Sequence, residues 1–128
     1  MRSTLLLTLG FLGAPALAET PAPDYYLDAL FAVSTAELLS NFCTGVALDP
    51  VLANAALETV LADLATDGIR GDDILALGGV EAGVGARQDA FMARYELAEP
   101  SEERICAAAQ SEIAEGSAIG GFLVQSSE

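Results

Sequence analysis

Apolar residues recur at steps of three and four along nearly the whole chain, Ala, Leu and Glu are abundant, and runs of β-branched residues are absent. That spacing follows one face of an α-helix, so the pattern predicts an all-α fold of four helices. The first covers Asp24 to Phe42, with Leu27, Phe31, Leu38 and Phe42 as its buried stripe, Leu30 and Leu39 at the flanks, and Cys43 at the stripe's end. Thr44 and Gly45 break it. Asp49-Pro50 is an N-cap residue followed by a proline whose fixed φ suits a first turn, and it opens a second helix running to Thr66. Leu52, Ala56, Val60 and Leu64 mark the inner face, with Leu57 and Leu61 alongside. Asp67-Gly68 closes it, since glycine accepts the left-handed conformation that ends many helices.

Asp72 and Asp73 suit the positive end of a third helix, whose stripe is Leu77, Val80, Val84, Phe91 and Tyr95. Gly78, Gly79, Gly83 and Gly85 weaken it, and they serve either close approach of another helix or a kink that leaves a groove. Pro100-Ser101 followed by Glu102 and Glu103 starts a fourth helix, predicted to reach Val124, with Ile105, Cys106, Ala109, Ile113, Gly116, Gly120 and Leu123 facing inward. Short connections between the four make a small antiparallel bundle.

The N-terminal end reads differently. Arg2 precedes an apolar run from Leu5 to Leu12 and a small-residue end at Ala16-Leu17-Ala18, the layout of a secretory leader with an A-x-A cleavage site. The run is well short of the roughly 20 residues that span a bilayer. Residues 1–18 are therefore expected to be removed, leaving residues 19–128 as a single helical domain in the periplasm or outside the cell, with no membrane insertion after cleavage. Residues 19–23, with two prolines, are expected as a flexible lead-in to that domain.

Export changes how the charge and the cysteines are read. The chain carries 19 acidic and 5 basic residues with no histidine, a net charge of −14, and none of the basic residues is lysine. Loss of Arg2 with the leader makes this −15. Such a surface repels phosphate backbones and anionic headgroups, which excludes nucleic acid and anionic membranes and leaves either solubility or recognition of cations and basic partners. Cys43 and Cys106 are an even pair in an oxidising compartment, so a disulfide pinning the end of the first helix to the start of the last is expected. They are not spaced as C-x-x-C, and no imidazole is present to complete a zinc site.

The run Ile105-Cys106-Ala107 through Ser111-Glu112-Ile113-Ala114-Glu115-Gly116-Ser117-Ala118-Ile119-Gly120, together with the leader, Cys43 and the turn at Gly68, resembles an uncharacterised family of small exported alphaproteobacterial proteins, a domain of unknown function. The resemblance implies the compartment, the disulfide and a helical fold. It carries no catalytic position.

Candidate chemistry is sparse. Without histidine or lysine, acid-base work falls to carboxylates and tyrosines. Glu112 and Glu115 lie three apart on one side of the last helix, with Ser117 nearby, but the further Glu and His ligands of a di-metal bundle are missing. A solvated acidic edge or hydrogen bonds to a neighbouring loop account for the two acids, and a backbone carbonyl within the helix accounts for Ser117. The stretch Asp63 to Ile74 begins like a calcium loop, yet Ala65 and Ile74 occupy positions that need oxygen ligands. No cofactor or metal is called for. Tyr25 and Tyr26 either anchor a partner or seal the bundle's end. The reading is a non-catalytic periplasmic interaction or accessory protein with an unknown protein partner, a basic one being one option. The alternatives are a binding module for a cation or small apolar ligand, an acid-stress chaperone and, last, a carboxylate-based hydrolase.

Overall fold

The structure is a computed structural model that describes residues 19–126, so the leader predicted for residues 1–18 lies outside the described residues. The chain is mostly helical: α1 (Asp24–Phe42), β1 (Val46–Leu48), α2 (Pro50–Thr66), the single turn α3 (Asp72–Leu75), α4 (Val80–Arg94), α5 (Glu102–Glu115), a 3₁₀ turn (Gly120–Phe122) and β2 (Leu123–Gln125). Among the described residues, no helix is long and apolar enough to cross a membrane.

Local capping sets several boundaries where they were expected. The Asp49 carboxylate accepts from the backbone N–H groups of Val51 and Leu52 at 3.0 and 3.2 Å, holding the start of α2. Ser101 Oγ does the same for Arg104 at the start of α5, at 3.2 Å. The disulfide is formed, from the C-cap of α1 to the second turn of α5.

The four-helix, all-α reading needs three corrections. First, the third helix is two pieces. The chain turns at Gly79, whose φ of 75° is left-handed, and the residues before it are tied elsewhere: Gly78 N–H donates to the Thr20 carbonyl at 2.8 Å and its carbonyl accepts from Ala22 N–H at 2.9 Å. Residues 19–23, expected as a flexible lead-in, thus carry backbone hydrogen bonds, with Pro21 in a parallel bridge to Gly78. Second, the fourth helix stops at Gly116, in the left-handed region at φ 64°. The tail folds back as β2 and pairs antiparallel with β1, Leu48 opposite Leu123 and Val46 opposite Gln125. Gly116 and Gly120, expected on a helix face, instead end a helix and seat the returning chain on the carbonyl of Glu112.

The third correction concerns α1, which lies against α2, α4, α5 and β1. Its buried line is Ala32, Ala36, Leu39 and Cys43, together with Thr35 and Leu27. Leu38 and Phe42, expected in the core, are 49% and 57% exposed. Small side chains explain the rotation. Ala36 of α1 and Ala108 and Ala109 of α5 are fully buried in one cluster, where small side chains let helices pack closely, and this packing turns the bulkier residues of α1 outward. Close packing, one of the two roles expected for the glycines, is found at Gly83, where an added Cβ would lie 2.6 Å from Leu27. The other role, an irregular turn, falls to Gly79.

Candidate functional site

Two regions bear on function: a polar clamp between α4 and α5, and an apolar cleft that shares Phe91 of α4 with the depression beside that clamp.

The clamp contains most of the acids singled out from the sequence. Glu112 is buried, 3% exposed, and is not part of a solvated edge. Its Oε1 accepts from the Tyr95 hydroxyl at 2.8 Å and lies 3.5 Å from a guanidinium nitrogen of Arg94. Glu115, half-exposed, takes the other terminal nitrogen of Arg94. Ser117 Oγ donates to the Glu112 carbonyl at 3.3 Å and accepts from the Gly120 N–H at 3.0 Å, so it organises the turn after α5. Burial pushes the Tyr95 phenol up from its ordinary value, and the hydrogen bond to Glu115 does the same for Arg94.

Arg87, one helical repeat back along α4, is held by Asp28 at 2.7 Å, Asp24 at 3.4 Å and the Gly83 carbonyl at 2.9 Å. Both arginines and Glu112 line one 530 Å³ depression. Their charged groups close on one another, so the arrangement fastens α1, α4 and the end of α5 together. Chemically it offers a satisfied network and leaves the buried carboxylate with its partners already chosen.

Tyr25 and Tyr26 are half-buried at the start of α1. The Tyr25 hydroxyl donates to Asp67 Oδ2 at 2.5 Å, joining the start of α1 to the end of α2. That hydrogen bond, reinforced by desolvation and by the negative charges of Asp67 and Asp63, pushes the phenol up to about 12. A raised pKa means the folded state holds the proton more tightly. The contribution of this contact is therefore complete below the ordinary tyrosine value of about 10 and is lost as pH rises from there towards 12. A titration followed at 295 nm is expected to lose its component near pH 12 in Tyr25→Phe, while Tyr95 still titrates above the ordinary value; a component near pH 12 of unchanged size would assign it to another tyrosine.

The cleft was not among the sites anticipated from the sequence. Leu38 and Phe42 of α1, Phe91 and Met92 of α4, Leu97, and Ile105 of α5 line a 540 Å³ cavity, completed by Ser34, Thr35, Gln88 and Pro100. No titratable side chain is among them. Phe91 and Ile105 form its buried floor, while Leu38, Phe42 and Met92 stand half-exposed at its mouth. The floor is firm, because Phe91 is wedged edge-on to Phe31 at 6.1 Å between centroids and against Tyr95 at 4.9 Å. One sequence signal pointed here. Helix α1 is apolar on all sides, with only Asp24, Asp28 and Glu37 charged, which is more apolar surface than one core can cover. The groove considered beside Gly78 to Gly85 is displaced along α4, since the cleft begins at Gln88.

A family model matches residues 20–124, nearly all of the described chain. The chain belongs to DUF5333, a family of unknown function. Every residue of the cleft and of the clamp falls inside that match, so both are parts of the DUF5333 domain itself. The match agrees with the resemblance carried by residues 105–120, and it has no bearing on an alphaproteobacterial origin. No curated protein and no solved structure matches the chain.

Proposed function

We propose that the protein is a non-catalytic interaction module, exported to the periplasm or beyond after removal of residues 1–18, and that its contact surface is the apolar cleft between α1, α4 and α5. The observation that carries this is the exposure of Leu38, Phe42 and Met92, 49, 57 and 43%, around a concave apolar floor of 540 Å³. Cavities of this size and lining are the usual form of a binding site, and leaving such side chains in water costs free energy that a ligand recovers. The leader-like N-terminal sequence and the disulfide support the compartment. The engagement of Glu112 and Glu115 by Arg94 and Tyr95 favours binding over carboxylate-based hydrolysis.

The test uses N-phenyl-1-naphthylamine, an uncharged dye that fluoresces in apolar sites, so that the protein's negative charge neither attracts nor repels it. Dye fluorescence is expected to rise saturably with the oxidised protein. Leu38→Ser with Phe42→Ser is expected to weaken dye affinity by about tenfold, with an unchanged far-UV spectrum because both side chains are already half in water. Absence of dye binding, or equal affinity in the variant, would count against the cleft as the contact surface.

A further inference from the structure

We infer that the occupant of this cleft is a basic amphipathic α-helix presented by a partner protein; the inference rests on the cleft being the contact surface, as proposed above. The shape comes first. The apolar floor lies between α1 and α4, with Ile105 of α5 beneath, and opens at Leu38, Phe42 and Met92, helix walls of the kind that accept an apolar helical stripe.

The charge around it selects the kind of helix. A second depression shares Met92 with the cleft and is bordered by Asp89, Glu96 and Glu99, all exposed. Glu37, also exposed, precedes Leu38 in α1. The cation among these residues, Arg104, is turned onto the chain itself, donating to the carbonyls of Glu96 and Glu99 at 3.1 Å each. An apolar floor beside carboxylates that make no ion pair among the described residues matches a helix with leucine-like side chains on one face and Lys or Arg on its flanks. A second copy of this chain is a poor occupant, because each copy carries a net charge of −14, or −15 once Arg2 is removed with residues 1–18. An uncharged small molecule would use the floor and leave the acidic rim without a role.

The experiment measures displacement of the same dye by synthetic helical peptides of about 15 residues, with leucines at i, i+3, i+4 and i+7 and lysines elsewhere, against a twin carrying glutamates in place of the lysines. The lysine peptide is expected to displace the dye, with an affinity that falls as salt rises, and the glutamate peptide is not. Asp89→Asn with Glu96→Gln and Glu99→Gln is expected to weaken the lysine peptide by about tenfold while leaving dye affinity alone. A control variant, Asp63→Asn with Asp72→Asn and Asp73→Asn, changes the net charge equally at the far end of α1, about 20 Å from Leu38 along the helix axis, and is expected to leave both affinities alone.

Equal weakening by the rim and control variants would mean non-specific attraction to an acidic surface and would overturn the inference. So would lysine-peptide binding without dye displacement, equal binding of the two peptides, or concentration-dependent self-association that expels the dye. If the dye binds and neither peptide competes, the helical partner is wrong and the cleft reading stands; if the dye itself fails to bind, both fall.

Discussion

Removing the disulfide, as Cys43→Ala with Cys106→Ala, is expected to lower the free energy of unfolding by about 4 kcal/mol. The two cysteines are separated by 63 positions, so the crosslink closes a loop that includes β1, α2, α3 and α4. Opening it returns that much chain freedom to the unfolded state. A domain of this size is commonly stable by only about 5–15 kcal/mol, so the loss is a large share of the whole. The native state feels it too. Cys43 is buried in the same cluster as Leu39, Val46, Ile105 and Ala109, where α1, β1 and α5 meet. Phe42 and Ile105, the neighbours of the two cysteines, both line the cleft, Phe42 at its mouth and Ile105 in its floor. Urea unfolding followed by far-UV circular dichroism is therefore expected to show a lower midpoint for the variant, closely matched by the wild type in reductant, with weaker dye binding in both. An unchanged midpoint would mean that packing alone holds these walls together.

The second large effect is expected at one glycine. In Gly120→Ala the added methyl would sit 2.1 Å from the carbonyl oxygen of Glu112, 2.4 Å from its carbonyl carbon and 2.7 Å from the nitrogen of Ile113. All three are backbone atoms of α5, which no rotamer change can move aside. The returning chain must lift off the helix, which loosens Ile119, Leu123 and the β1–β2 pairing together; about 3 kcal/mol is expected, the upper part of the range for overpacked cores. Two neighbours serve as internal controls. At Gly116 nothing lies within 4 Å of an added Cβ, but φ is 64°, so alanine there is expected to cost about 1 kcal/mol through backbone strain alone. At Gly121 there is neither a contact nor a positive φ, and alanine is expected to be nearly neutral. Thermal melts separate the three, with Gly120→Ala displaced downward by about 15 °C. A Gly120→Ala melt no lower than that of Gly116→Ala would show that the tail moves away at little cost.

These glycines also show where sequence reasoning reaches its limit. Gly116 and Gly120 are four apart, which is helical spacing, and a small-residue helix face was the natural reading. Their actual roles differ, one ending α5 and the other seating a chain segment on it. The polar clamp was partly legible: Glu112, Glu115 and Ser117 were singled out together, but Arg94 and Tyr95, which give Glu112 its buried position, come from another helix and carry no spacing signal that pairs them with it. The cleft was hidden by the assignment of Leu38 and Phe42 to the core.

Local chemistry determined the helical character of the chain, the limits of α1 and α2, the start of α5 and the pairing of the two cysteines. Those features depend on interactions within about four residues, such as the Asp49 and Ser101 caps, or on cysteine number and compartment, and they are written where they act. Tertiary packing alone decided that the chain at Gly78 pairs with residues 20–22, that the tail returns as a strand beside residues 46–48, and which side of α1 is buried. A helix apolar on every side has no preferred inner face of its own. The small residues of α1 are buried with those of α5 in one cluster, and the large apolar side chains left over line the cleft.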